Sequence, residues 1–301
     1  MSMDTPCSHD PFAHELDKKA LQARPPTWCP GCGDHAVLAA YFKVLAELKR
    51  PQEEIVTIAG IGCSSRFPYF VNTHGGHFLH GRAVPFASGL QLARPDLKVF
   101  VFGGDGDGFS IGGNHLDHTA RKNFDLTYII MDNFVYGMTK NQTSPTSPVG
   151  YTSKTDPWGA IDEPINPMRR LLAAGATFVA RAHAGHYQHL LEMMGRAASH
   201  QGFSVVEVLS ECVHFNRGSM DGAVPRRGGK FEPVPADHDP GDFLAACRLA
   251  EAPWPGLFGV FYQSHRPTKA EREAELGAAI REPWAGADDR AILADSLRRC
   301  Q

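Results

Sequence analysis

Short β-branched or aromatic runs at 55–59, 99–102, 126–131, 177–179 and 203–209 alternate with stretches of helical spacing. That alternation predicts an α/β fold, a doubly wound parallel sheet with helices on both faces. One of the intervening helices is legible in detail. From 34 to 48, Val37, Leu38, Tyr41, Val44, Leu45 and Leu48 recur at spacings of three and four, with Asp34 at the positive N-terminal end. In such sheets ligands bind at the carboxyl ends of the strands, where the strand-to-helix loops converge. The chemically suggestive residues obey that geometry. Gly60-Ile61-Gly62-Cys63-Ser64 follows the first run, Gly103-Gly104-Asp105-Gly106-Asp107 the second, Asp132-Asn133-Phe134-Val135-Tyr136-Gly137 the third, and Ser210-Glu211-Cys212-Val213 the last. All four segments are expected on one edge, and unrelated loops would be scattered over both.

The glycine run is suited to an anionic ligand. Gly103, Gly104 and Gly106 let backbone amides approach a diphosphate, and a helix beginning near Ile111 adds its N-terminal dipole. Asp105 is then a candidate magnesium ligand. Magnesium takes an octahedron of oxygens and shares one or two carboxylates with bound phosphates, so further oxygen donors are expected nearby. Asn133, at the end of the next strand, and the carbonyl of Val135 fit that need. A Gly-Asp-Gly run alone is more often a plain turn; the following strand and Asn133 give it chemical meaning.

Cys29-Pro-Gly-Cys32 reads as a redox pair, half a zinc site or half an iron–sulfur site, and it follows a proline-bearing arm rather than opening a βαβ helix, which disfavours the redox pair. Cys63 and Cys212 supply two further thiols from the same sheet edge. Four thiolates suit zinc or a 4Fe-4S cluster equally by count. Cys7, Cys247 and Cys300 lack such loop context and read as small packing residues. Among the histidines, His74, His77 and His80 are separated by glycines that break any helix aligning them, so a shared metal is not expected. His80 reads as a hydrogen-bond partner for phosphate, His115 and His118 as helix-surface or packing residues, and His183, His186 and His189 as a solvated helix face. Lys140 and Arg66 are cations near the crevice, able to pair with a substrate carboxylate.

Composition bounds the rest. The 301 residues, 43% hydrophobic, suffice for one large or two modest domains, and a net charge of −3 with both signs interspersed gives neither a nucleic-acid surface nor a polybasic membrane tail. No run of about 18 apolar residues occurs, and the first residues lack a signal-peptide core. Seven cysteines, an odd number in a chain too long to need stapling, fit a reducing, cytoplasmic setting. Residues 1–27 read as an extended arm, 28–216 as the binding domain, and 217–301 as an irregular extension with helices at 268–276 and 288–299, packing on the domain or on a partner.

Over residues 28–216 the chain resembles the β subunits of the 2-oxoacid:ferredoxin oxidoreductases, especially the 2-oxoglutarate type. The resemblance rests on Trp28-Cys-Pro-Gly-Cys-Gly33, Gly60-Ile-Gly-Cys-Ser64, His80-Gly-Arg-Ala-Val-Pro-Phe-Ala87, Phe102-Gly-Gly-Asp-Gly-Asp107, Ile111-Gly-Gly-Asn-His115, Tyr136-Gly-Met-Thr-Lys-Asn-Gln142 and Ser144-Pro-Thr-Ser147. It implies that Cys29, Cys32, Cys63 and Cys212 hold one 4Fe-4S cluster. It also implies that Asp105, Asn133 and the Val135 carbonyl bind magnesium, and that Ile61, Gly62, Cys63, Ser64, His80, Gly104, Gly106, Asp107, Gly137 and Met138 contact thiamine diphosphate. In the implied reaction a 2-oxoacid loses carbon dioxide, electrons pass through the cluster to ferredoxin, and the acyl group leaves on coenzyme A. Lys140 and Arg66 would hold substrate carboxylates. The chain would work only with an α subunit, as a dimer of αβ heterodimers. The departures are Asn141, where a glycine is often seen, and Glu211 before Cys212, where a proline is more usual. Two other readings each explain half the pattern: a non-oxidative thiamine-dependent decarboxylase or carboligase leaves the cysteines unexplained, and a non-enzymatic subunit with structural zinc leaves Asp105 and Asn133 unexplained.

Overall fold

The computed structural model describes residues 16–282, 285 and 287–299. Its centre is an eight-stranded sheet of β1 (Ile55–Ala59), β2 (His74–His77), β3 (Lys98–Gly104), β4 (Leu126–Asp132), β5 (Phe178–His183), β6 (Ser204–Leu209), β7 (Glu232–Pro233) and β8 (Leu257–Gln263). The spatial order is β2-β1-β3-β4-β6-β5-β8-β7. From β2 to β5 all neighbours are parallel, and β8 runs antiparallel to β5. Strands β1, β3, β4 and β6 are buried along their whole length, which explains their near-continuous apolar runs.

The helices are α1 (Lys18–Leu21), α2 (Asp34–Glu47), α3 (Phe67–Phe70), α4 (Ala83–Ala93), α5 (Gly113–Lys122), α6 (Pro167–Ala173), α7 (Tyr187–Ser199), α8 (Phe243–Leu249), α9 (Lys269–Arg281) and α10 (Asp289–Arg299). Alternate residues of each strand feed two cores. Phe100, Phe102, Ile129 and Met131 pack with α2 and α7 on one face. Val99, Val101, Tyr128 and Ile130 pack with α4, α5 and α6 on the other. The period-two alternation of side chains sends consecutive residues to opposite layers.

Three local differences from the sequence reading have physical causes, and the expectation that His74 and His77 share no metal gains a strand-based reason. Within the arm, 18–21 form a helical turn capped by Asp17, and Leu21 is buried while Gln22 bridges Val71; residues 1–15, with Cys7, and Cys300 lie outside the described residues. The backbone turns helical directly after Asp105, as a wide π-type turn at Gly106–Ile111, before α5 begins. His74 and His77 lie three apart on a strand, hence on opposite faces, and cannot converge on one ion. His183 is a buried residue of β5 rather than part of a solvated helix face, and His186 stacks on Phe231 at 3.9 Å.

Beyond residue 213 the chain is irregular except for short turns, β7 and α8, until β8. That last strand is an aromatic run bounded by Pro255-Gly256 and Pro267 that the sequence reading did not single out, and it extends the sheet beside β5. Helix α9 is anchored at its start, where Asn123 donates to the Arg266 carbonyl (2.7 Å) and Thr268 with Glu271 forms a capping box.

Candidate cofactor cavity and thiol cluster

Loops from the carboxyl ends of β1, β3 and β4, joined by the loop after β2, enclose a narrow cavity of about 70 Å³. Ile61, Gly62, Cys63, Ser64, His80, Gly104, Asp105, Gly106, Asp107, Asn133, Val135, Gly137 and Met138 all line it, so every residue expected to touch cofactor or magnesium is brought together. Tyr136 and Thr139 line it as well, without any role expected of them from sequence. Two glycines are required by contact: a Cβ on Gly106 would strike the Tyr136 ring, and one on Gly104 would stand 2.8 Å from Ser64 Oγ. Lys140 and Arg66 are not among the lining residues. Lys140 is exposed beside Thr139, and the Arg66 guanidinium lies 5.6 Å over the Phe70 ring.

Asp107 lines the cavity, yet its carboxylate is occupied by the chain itself. Oδ1 accepts from the Ile61 amide (2.9 Å) and the Gly81 amide (2.7 Å), with His80 Nδ1 at 3.3 Å. It thereby ties the loops after β1, β2 and β3 to one another. Burial raises its carboxyl, and those two amides pull it back down.

Asp105 and Asp132 form a buried acidic pair bridged by one hydroxyl. Thr146 Oγ1 lies 2.9 Å from Asp105 Oδ2 and 2.8 Å from Asp132 Oδ1. Burial pushes Asp105 up to about 6, opposed by hydrogen bonds from Ser144, Thr146 and the Asn133 amide. Asp132 is pushed much further, by burial and then by facing both Asp105 and Glu207. Burial thus raises both carboxyls, and at Asp105 three hydrogen-bond donors oppose it. Asn133 Oδ1 accepts from the Val135 amide at 3.1 Å, a local turn that leaves its second lone pair for an ion. Ser147 Oγ donates to the Phe134 carbonyl at 2.6 Å, so 144–147 braces both arms from behind. The sequence holds one signal for this brace: a run of hydroxyl residues shortly after a strand that ends in buried acceptors.

The four cysteines gather beside this cavity. Cys32 interacts electrostatically with Cys63 and Cys212, and Cys63 with Cys212 and Cys29. Burial, then the charge of Asp34, pushes Cys63 up to about 11 and Cys32 beyond the ordinary thiol range. Asp34 is itself buried and pushed up to about 6; Oδ1 accepts from Ser210 (2.7 Å) and Oδ2 has no partner apart from its contact with the Cys32 thiol. Partly buried thiols set beside a buried carboxyl resist ionisation together unless a cationic centre compensates them, and this chemistry fits a metal–sulfur group. Among the described residues, no group of three or more His, Cys, Asp or Glu is set around a single ion.

The loops carrying the thiols are well fixed. The Trp28 indole donates to the Cys63 carbonyl (2.6 Å) and packs on Phe70 at 4.8 Å. Glu211 is held by Arg227 (3.0 Å) and by the Gly218 amide, so the loop before Cys212 is anchored without a proline. Asn141 has φ +78°, a left-handed conformation that explains why glycine suits this position. Gly137 faces Cys212, and a Cβ added to it would stand 3.4 Å from the sulfur, so the third and fourth loops touch where cavity and thiols meet.

Residues 37–208 match the family described as thiamine pyrophosphate enzyme, C-terminal TPP binding domain. The chain is 48% identical over 211 residues to the 2-oxoglutarate oxidoreductase subunit KorB of Mycobacterium tuberculosis, a match covering 70% of this chain and 56% of that protein. The chain thus spans little more than half of that relative. It is 45% identical over 209 residues to the 2-oxoglutarate synthase subunit KorB of Methanothermobacter marburgensis, covering 69% of this chain and 72% of the relative. A solved structure of 2-oxoglutarate:ferredoxin oxidoreductase from Magnetococcus marinus, with 2-oxoglutarate, coenzyme A and succinyl-CoA bound, superposes with a TM-score of 0.85 at 42% identity, covering 93% of this chain and 95% of that one.

Proposed function

The chain belongs to the β-subunit family of the 2-oxoacid:ferredoxin oxidoreductases, with a thiamine diphosphate-binding fold, and from that premise we propose that it is the catalytic β subunit of a CoA-acylating enzyme acting on 2-oxoglutarate. The reaction is 2-oxoglutarate, coenzyme A and oxidised ferredoxin to succinyl-CoA, carbon dioxide and reduced ferredoxin, or the reverse carboxylation. The observation that carries this reading is the position of Cys63. It lies in the wall of the cavity between Gly62 and Ser64, and its thiol belongs to the four-cysteine group. A decarboxylase without electron transfer has no need of that adjacency, and a structural zinc site has no need of Asp105 and Asn133.

Bound thiamine diphosphate supplies the electron sink for loss of carbon dioxide from a 2-oxoacid, and a 4Fe-4S cluster supplies the route by which electrons leave. The chain's own residues bind and orient. Asp105, Asn133 and the Val135 carbonyl would hold magnesium, with Asp105 ionised because Thr146, Ser144 and the Asn133 amide favour its charged form. Amides of the Gly104 and Gly106 turn would face the diphosphate, and His80, held against Asp107, would donate to it. Cys29, Cys32, Cys63 and Cys212 would hold the cluster. Lys140 and Arg66, which do not line the cavity, would pair with substrate carboxylates.

The cavity has room for a phosphate-sized group and its ion, far less than a whole cofactor. The remainder would be enclosed by an α subunit, in a dimer of αβ heterodimers. We assign 28–216 as the binding domain and 217–301 as an extension that covers its β5 edge. No helix among the described residues is long and apolar enough to cross a membrane; we place the enzyme in the cytoplasm.

The test is anaerobic purification with the partner subunit, assay of iron and acid-labile sulfide, and low-temperature EPR before and after 2-oxoglutarate and coenzyme A. About four irons per chain and a substrate-dependent signal are expected. Zinc in place of iron would overturn the electron-transfer reading, and iron without response to 2-oxoglutarate would overturn the substrate.

A further inference from the structure

The segment 136–142 begins in the wall of the cofactor cavity, which Tyr136 to Thr139 line, and doubles back just outside it. Tyr136 and Gln142 pair as a bridge, and the Asn141 amide donates to the Tyr136 carbonyl at 3.1 Å. At the tip, Lys140 and Asn141 both stand in the left-handed region, with φ +74° and +78°. They are the only two adjacent non-glycine residues to do so among those described. A Cβ resists that conformation, in lysine more than in asparagine, and glycine reaches it without strain. Two such residues in a row persist only where their surroundings hold them.

Tyr151 supplies the hold. Its hydroxyl donates to Asn141 Oδ1 at 2.5 Å. Its own backbone is fixed, the amide donating to the Pro148 carbonyl (3.1 Å) and the carbonyl accepting from the Ala160 amide (2.9 Å). The Lys154 amide donates to the Asn141 carbonyl (3.0 Å), so Asn141 is gripped through side chain, amide and carbonyl together. The Lys140 side chain, by contrast, makes no hydrogen bond or ion pair with any described residue. Its ammonium is aimed by the backbone it shares with Asn141.

We propose that Tyr151 is a positioning residue for substrate binding: by locking Asn141 it holds Lys140 in the backbone conformation from which the ammonium takes a carboxylate of the 2-oxoacid. The proposal rests on the reading of Lys140 as a substrate cation. With glycine at 141 such a lock is unnecessary; with asparagine the loop needs a partner for that side chain, and Tyr151 is the partner this chain provides.

The test uses the enzyme assembled with its partner subunit. Tyr151→Phe keeps the ring and removes the hydroxyl, and it should raise KM for 2-oxoglutarate about tenfold with kcat within about twofold, the signature of binding lost equally from ground and transition states. Adding Asn141→Gly should return KM to within about twofold of the wild type, because glycine needs no lock. On a Lys140→Ala background Tyr151→Phe should add nothing, since the group it aims is gone. Amide exchange over 136–142, which needs no substrate, should quicken about tenfold in Tyr151→Phe. Unchanged KM in Tyr151→Phe, no recovery with Asn141→Gly, an undiminished effect without Lys140, or unchanged exchange would each overturn the proposal. A wild-type enzyme indifferent to 2-oxoglutarate, or a normal KM in Lys140→Ala, would instead overturn the substrate reading beneath it, and the exchange measurement would still judge whether Tyr151 holds the loop.

Discussion

Asp105 receives hydrogen bonds from Thr146, Ser144 and the Asn133 amide, whereas the neighbouring Cys32 and Cys63 lie half-buried beside the half-satisfied carboxyl of Asp34. The oxygen-donor cavity is braced by the protein's own hydrogen bonds. The thiol group has rigid loops but unfavourable chemistry until something cationic joins it. The difference teaches which half of the site should depend on its metal for stability. The oxygen site should hold its shape empty, while the sulfur site should gain most from being filled.

The sharpest way to break the comparison is at the residue both halves share. Cys63→Ser should remove bound iron and also disturb thiamine diphosphate binding, while Cys29→Ser, at an exposed thiol away from the cavity, should remove iron and leave magnesium-dependent cofactor binding intact; metal analysis with cofactor titration separates them. Next is Asp105→Asn, expected to weaken magnesium-dependent thiamine diphosphate binding by about 100-fold with iron content unchanged, since the only ionised oxygen ligand is lost. Retained affinity there would remove Asp105 from the metal site. Thr146→Val tests the brace: losing the shared hydroxyl should cost about 1–3 kcal/mol in denaturant unfolding.

pH tests the same contrast more gently. Asp105 titrates at about 6 in the folded chain, so magnesium affinity should fall about tenfold per pH unit once pH drops below that value. For the chain alone the sign is opposite. Asp34 and Asp105 are raised above their unfolded values, so their contribution to stability is fully present below about pH 4 and is lost as pH rises through about 6. His183 and His200, lowered by burial to about 4, act against this, their contribution being lost as pH falls from 6.5 toward 4. Magnesium binding, rather than melting, is therefore the clean readout. The smallest effect is expected for Arg227→Ala, which removes exposed ion pairs to Glu211 and Asp221 and should leave thermal unfolding nearly unchanged, with iron retained. Loss of iron in that variant would show that the Cys212 loop depends on Glu211 more than its exposure suggests.

Much of the site is legible in the sequence because parallel strands place their following loops on one edge. Residues 60–64, 103–107, 132–137 and 210–213 can be assigned to a common edge from hydrophobic runs alone, and the first three of these segments meet in the cavity lining. Asp107 is legible as a site residue but not as a clamp, because its partners Ile61 and Gly81 lie 46 and 26 residues away. Thr146, Ser147 and Tyr136 stand in quoted motifs, but their roles are not legible for the same reason, since a hydroxyl or a ring says nothing of the buried acceptor or glycine it will meet. His183 misleads because a three-residue spacing of histidines looks helical until a strand end interrupts it.

The sequence by itself determined the layered α/β architecture and the edge on which the chemistry sits, because these follow from local periodicity and chain connectivity. Tertiary structure alone decided that Asp105 and Asp132 are buried together, which hydroxyl bridges them, and that β8 joins the sheet beside β5. Those outcomes depend on burial and on partners distant along the chain, and both exist only once the layers have packed.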